Sequence, residues 1–243
     1  MESSEILKHN SHRSFKYPNH SWKFYQEWNK AVFLHWEVAP ELVSPFLPKG
    51  INLDIINGKT WVSLVAFDMN NIGIRNLPKV PYISDFHEIN IRVYITCNNK
   101  PSVYFLSMEG SKQSSCKVLK TVSKFPYQYS RMNRDDTSYI SKNKIFNDSF
   151  NIEYSTENTH IEKDETDLWL TERYAVFQDY KNHIIEYDVH HIEWPMQSIS
   201  VNKLNLNYPR FSHLINNQPN KIHYSSGVQV LTWDKRKRPI SDF

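Results

Sequence analysis

The stretch FHEINIRVYITCNNKPSVYFLSMEG, residues 86–110, decides the fold. His87, Ile89, Ile91, Val93 and Ile95 alternate with Glu88, Asn90, Arg92 and Tyr94, the period of an extended strand. Asn98-Asn99 supplies a two-residue turn, since asparagine enters left-handed conformations at little cost. With Cys97 opposite Lys100, Ile91 meets Leu106 and Ile89 meets Met108, which keeps one face apolar. The other face sets Arg92 against Phe105, Asn90 against Ser107 and Glu88 against Glu109. Such a face is either a solvated surface with cross-strand charge pairs or the lining of a cleft. In a cleft, two facing carboxylates would raise one another's pKa and Arg92 would lower it.

Strand signals continue outward on both sides. Ile51–Ile56 and Thr60–Phe67 flank Asn57-Gly58, a strong hairpin signal. Residues 70–85, with Pro78 and Pro81, read as a loop, and Ser111–Phe125 reads as a helix ended by Pro126. Further strands are expected at 127–132, 137–146, 149–155, 172–178, 183–193, 196–205 and 226–233, with a short helix near 164–171. Trp22–Trp36 reads as helical at its start and extended over Phe33–Trp36, and Pro40 opens a short helix. Turns, rather than crossover helices, join the strands. The expected class is α+β and β-rich: an antiparallel sheet closed into a barrel or sandwich, with a few peripheral helices. Residues 1–20 are polar and expected as a flexible tail, and 21–243 as one domain.

Composition narrows the function. The 243 residues include 5 glycines, where average usage would supply roughly 17. They include 23 asparagines. Neither GxGxxG nor GxxxxGK[ST] occurs, which excludes P-loop and Rossmann nucleotide binding. A net charge of +3 makes no case for nucleic acid or membrane. Two cysteines form no disulfide framework, and the N-terminus carries no signal-peptide core, so a cytoplasmic protein is expected.

Other constellations have plain alternatives. The adjacent pair in Thr171-Glu172-Arg173-Tyr174 is either a structural ion pair or part of a pocket, with Thr171 and Arg173 on one side and Glu172 and Tyr174 on the other. His191 and Glu193 in HHIEW are too few ligands for a metal site, and none is expected. Cys116 reads as a small core residue, and Lys235–Arg238 as a solvated terminal run.

Seven segments together resemble a known family. They are FLHWEVAPELVSPFLPKGINLDIINGKTWVSLVAF (33–67), FHEINIRVYI (86–95), SVYFLSMEG (102–110), KFPYQYSRM (124–132), LWLTERYAVF (168–177), VHHIEWPM (189–196) and SSGVQVLTW (225–233). Their order and spacing resemble the YqjF-like proteins, an uncharacterised bacterial family, over residues 22–233. That family is distantly similar to the acetoacetate decarboxylases, which implies a barrel or cone-like sheet around a pocket. The resemblance places the decarboxylases' Schiff-base lysine at Tyr127 and a pocket glutamate at Glu88. A phenol cannot form an imine. Lys117, Lys120 and Lys124 lie roughly 160° from the apolar side of their helix, formed by Val118, Leu119, Val122 and Phe125.

The resulting expectation is a pocket for a small carboxylic or keto acid, without cofactor. Its candidate ligand-binding residues are Glu88, Asn90, Arg92, Glu109, Tyr127, Glu172, Arg173 and Trp194. The alternative is a lyase or hydrolase with Glu88, Tyr127 and His191 as proton carriers. A second alternative is an interaction domain whose polar hairpin face is surface.

Overall fold

The computed structural model describes residues 2–77 and 83–242. Helix α1 (Ser3–Lys8) precedes strand β1 (Phe24–Val38), helix α2 (Pro40–Val43) and strands β2 (Asn52–Leu53) and β3 (Thr60–Ile74). The central hairpin is β4 (Phe86–Cys97) and β5 (Lys100–Gly110), followed by helix α3 (Gln113–Ser123), β6 (Tyr127–Tyr129) and β7 (Arg131–Arg134). Next come β8 (Ser138–Asn143), β9 (Asp148–His160), helix α4 (Glu165–Thr171), β10 (Ala175–Tyr180) and β11 (His183–His190). The chain ends through β12 (Met196–Asn207), β13 (Lys221–Thr232) and β14 (Arg236–Pro239).

These strands make one sheet, ordered β14-β11-β10-β5-β4-β3-β1-β13-β12-β9-β8-β7, with β2 on β4 and β6 on β5. A further pairing of β11 with β13, through Val189–Thr232 and His190–Leu231, bends seven strands into a partial ring. The rest of the sheet, β12-β9-β8-β7, leaves the ring as a limb. Alternation divides the ring strands between two cores. Phe33, Val65, Phe67, Tyr94 and Phe105 pack inside the ring. Leu34, Leu64, Ile89 and Ile91 pack outside it, against Tyr139 and Phe150 of the limb. With both faces covered, β1, β3 and β4 read as nearly continuous apolar runs. Each such buried side chain contributes about 1.5–3 kcal/mol. Among the described residues, no helix is long and apolar enough to cross a membrane.

The β-rich class stands, and several local expectations change. Trp22–Trp36 is not helical: Phe24–Val38 is a single strand held between β3 and β13. Two neighbouring strands satisfy its backbone along most of its length, and that outweighs an ambiguous local pattern. Asn57-Gly58 does turn the chain, with both residues at positive φ and Ile56 and Lys59 exchanging hydrogen bonds of 2.9 and 3.0 Å. Its flanks do not zip together, because β2 pairs with β4 instead. The sheet is not purely antiparallel: β6 and β10 each meet β5 in parallel, and α3 is the crossover between β5 and β6. Strand β3 runs on to Ile74 within the expected loop, while Pro78 and Pro81 lie outside the described residues.

The N-terminal segment expected as a tail lies on the domain. Ile6 is buried with Leu231 and Trp233, and Arg13 donates to Val189 O at 2.5 Å. The basic run is likewise only partly solvated. Arg236 joins Lys100 in holding the buried Glu186 and Asp188, at 2.6 Å from Glu186. Asparagine takes over the usual work of glycine in left-handed turns, with positive φ at Asn57, Asn71, Asn76, Asn98, Asn99 and Asn147.

Candidate functional site

The ring interior encloses a cavity of about 300 Å³ between β3, β4, β5, α3 and the end of α4. Glu88, Asn90 and Arg92 of β4 line it, so this face of the hairpin is buried rather than solvated. The hairpin keeps the expected register from Cys97–Lys100 down to Arg92–Phe105 and then shifts by one residue. Leu106 is the extra residue of a β-bulge, so Ser107 faces Ile91 and Glu109 faces Ile89. A one-residue slip exchanges the faces. Met108 therefore lines the cavity, and Glu109 turns to the outer core. Glu88 and Glu109 do not face each other, which corrects the expectation of a carboxylate pair.

Tyr127 reaches the cavity because the β5–α3–β6 crossover sets it beside Met108 in parallel register. Its hydroxyl donates to Glu88 Oε2 at 2.6 Å, and Asn90 Nδ2 donates to Oε1 at 3.4 Å. Burial pushes the Glu88 carboxyl up to about 7, against the smaller downward pull of these two donors. Burial, then the Glu88 charge, drives the Tyr127 phenol well above its ordinary value. Glu88 can thus exchange a proton near neutrality, while the phenol stays a hydrogen-bond donor.

Arg92 and Arg173 share the cavity but differ in their partners. Among the described residues Arg92 makes one hydrogen bond, from Nη2 to Leu170 O at 3.2 Å, and no ion pair. Its Nε is buried without a partner. Its guanidinium lies 5.8 Å from the Phe33 ring centroid and 5.7 Å from that of Tyr94. Arg173 is neutralised by Asp54 at 2.5 Å and donates to Trp169 O at 2.7 Å. Asp54 is in place because β2 left the expected hairpin for β4. The α4 segment that delivers Arg173 starts at a capping box, with Asp164 and Asp167 each accepting the other's backbone N–H.

Residues 171–174 alternate as expected although they are not a strand. Thr171 and Arg173 line the cavity, whereas Glu172 lies outside its lining. There it accepts from Lys163 at 2.7 Å, Trp194 N at 3.1 Å and the Tyr174 hydroxyl. Glu109 is sealed in the outer core, taking a 2.5 Å hydrogen bond from Ser130, and burial pushes it also up to about 7.

His191 and Trp194 both line the cavity, their rings 5.3 Å apart. His191 Nδ1 lies 2.7 Å from Ile192 O, which fixes the proton on Nδ1 and leaves the lone pair on Nε2. Burial pulls this imidazole down to about 3. It is neutral at physiological pH, and its remaining nitrogen, Nε2, is an acceptor.

A buried polar chain behind the cavity carries no sequence motif. Tyr94 donates to Leu170 O at 2.9 Å, and its hydroxyl lies 2.7 Å from Ser63 Oγ. Ser63 lies 2.6 Å from His35 Nδ1, His35 Nε2 is 3.1 Å from His223 Nδ1, and His223 Nε2 is 2.9 Å from Asp167. Burial holds His35 well below the usual imidazole range, with the charges of His223 and Arg92 adding to the effect. Only the register that sets His35 opposite Ser63, and Ser63 opposite Arg92, could have revealed this chain.

A model of the DUF2071 family, described as an uncharacterized conserved protein, matches residues 25–229. The chain belongs to the DUF2071 family. Another protein similar to this DUF2071 member, the uncharacterized protein YqjF of Bacillus subtilis (strain 168), is 32% identical over 234 residues. That match covers 93% of this chain and 96% of YqjF. Among solved structures, acetoacetate decarboxylase from Legionella pneumophila superposes with a TM-score of 0.62 at 15% identity, covering 93% of this chain and 92% of that one. The enduracididine biosynthesis enzyme MppR with HEPES buffer bound superposes at 0.59 and 10% identity, covering 93% and 90%. This DUF2071 member therefore has an acetoacetate-decarboxylase-like fold. Identities this low carry the fold and nothing of the reaction.

Proposed function

We propose that the protein binds a small carboxylic or keto acid in the ring cavity, with Arg92 as the anchor for its carboxylate. The observation that carries this reading is Arg92 itself, a buried cation with one backbone hydrogen bond and no counter-ion among the described residues. Arg173 already has Asp54, Glu88 holds its proton to about pH 7, and His191 is neutral. Below about pH 7 the closed end of the cavity therefore has an excess positive charge, which an anion complements.

Imine chemistry is not part of this proposal. The resemblance puts Tyr127 where the decarboxylases keep their lysine, and no lysine is among the described lining residues. Lys117 and Lys120 are exposed, and Lys124 lies over the Tyr180 ring at 5.2 Å. Borohydride trapping with acetoacetate is expected to leave the protein mass unchanged, and a covalent adduct would refute this point.

One observation favours catalysis as a second reading: Glu88 titrates near neutrality and is hydrogen-bonded to Tyr127. A bound keto acid would then share its cavity with a proton carrier, as lyase or hydrolase chemistry requires.

The test is a thermal-shift titration with pyruvate and acetoacetate, since a ligand of the folded state raises stability by mass action. A shift that disappears in Arg92→Met supports the reading, and a shift that survives it, or no shift, overturns it. Loss of the keto acid followed by NMR, abolished in Glu88→Gln, would establish the enzyme. Binding without turnover would leave a binding protein.

A further inference from the structure

The charged groups of the cavity lie at its closed end, where Glu88, Asn90, Arg92, Arg173 and His191 are each no more than 9% exposed. The mouth is different. Ile74 at the end of β3 and Val118 and Val122 on α3 all line the cavity, and they are 40%, 37% and 46% exposed. Val118 and Val122 are four residues apart, so they form one stripe on the helix. An apolar stripe normally faces the core. Here Ser115 and Cys116 take the buried positions of α3, and the valines face the opening. Between mouth and floor the walls are Phe67, Met69, Phe105, Met108, Leu119 and Phe125. A three-carbon acid held at Arg92 would leave this apolar passage unused, with its rim exposed to water.

We infer that the ligand is an amphipathic acid, with its carboxylate at Arg92 and an unbranched apolar chain running along Met108 and Phe105 to the Val118–Val122 stripe. This rests on the acid-binding reading above and adds the second half of the molecule. Charge complementarity fixes the head, and the exposed rim fixes where the tail ends. The two methionines suit a flexible alkyl chain, because a thioether side chain repacks around irregular shapes. The ligand enters tail-last: a charged head must pass an apolar throat to reach Arg92, and the tail then covers the rim.

The test is calorimetric titration of the full chain with 2-oxobutanoate, 2-oxohexanoate, 2-oxooctanoate and 2-oxodecanoate. Each added methylene is expected to tighten binding about fourfold until the chain reaches the rim. Val122→Asp, at a position 46% exposed, is expected to flatten this dependence by weakening the longer acids more than 2-oxobutanoate. Equal affinity along the series would overturn the inference and leave the acid-binding reading standing. Octanol binding as tightly as 2-oxooctanoate, with Arg92→Met without effect on the acid, would overturn the carboxylate anchor instead. A dimer in sedimentation that Val122→Asp dissociates would assign the apolar rim to a second copy of the chain and also overturn the inference.

Discussion

The two faces of the β4–β5 hairpin each bury a glutamate, and the two glutamates have different surroundings. On the inner face Glu88 meets Tyr127 and borders the cavity that Arg92 also lines. On the outer face Glu109 is enclosed by Ser130 and Ser141, and the nearby Arg210 is already paired with Asp148 at 2.7 Å. Burial raises both carboxyls to about 7. A shifted pKa therefore does not by itself distinguish a site from a packed polar core. The faces differ instead in an accessible cavity and in Arg92, a cation with no counter-ion among the described residues.

The largest expected effects concern the two carboxyls. Each is raised from 4.5, so its favourable contribution is fully present below pH 4.5 and is lost as pH rises through about 7. Above that pH each costs roughly 3 kcal/mol. Relative to wild type, Glu109→Gln and Glu88→Gln should both gain stability between pH 4.5 and 7 in urea denaturation. Binding separates the two. A carboxylate ligand in the cavity that Glu88 lines favours the protonated form of Glu88, so affinity should fall up to tenfold per pH unit above 7. Glu88→Gln should abolish that slope and Glu109→Gln should retain it. Equal slopes in the two variants would break the distinction between the faces.

The arginines sharpen it at the next level. Arg92→Met should weaken acid binding about 10- to 100-fold, the value of a charge-assisted hydrogen bond, with little loss of stability. Arg210→Met should do the reverse, leaving affinity unchanged and costing about 1–3 kcal/mol because the fully buried Asp148 side chain loses its partner. Chemical denaturation and ligand titration on the same variants decide the matter. Tyr127→Phe has the smallest expected effect, about 1 kcal/mol of stability, with the pH slope of binding moved upward because Glu88 loses a donor that lowers its pKa.

Much of the inner face was legible because β4 alternates without interruption. Glu88, Asn90 and Arg92 share a side wherever the strand lies, and Tyr127 follows a helix closed by Pro126. Thr171 and Arg173 were separated from Glu172 by the same alternation. Glu109 was misplaced because the bulge at Leu106 leaves no local mark. Nothing in SVYFLSMEG distinguishes a regular strand from a bulged one. Ser107 and Glu109 turn outward because Arg210, Ser130 and Ser141 wait there, all distant in sequence. The His35–Ser63–Tyr94 chain was invisible for the same reason, since its members sit on three strands.

By itself the sequence determined which residues can share a face, where the chain turns, and that no glycine loop cradles a phosphate. It also determined that asparagine would share the left-handed turns with glycine, since five glycines are too few to serve them. These are consequences of backbone sterics and strand period, which act within a few residues. Only the tertiary structure decided which face is enclosed, which of the two cavity arginines lacks a counter-ion among the described residues and which glutamate meets the cavity. Those outcomes depend on strand register and on burial. Both are settled by contacts across the sheet, where a shift of one residue turns a carboxylate from the cavity to the core.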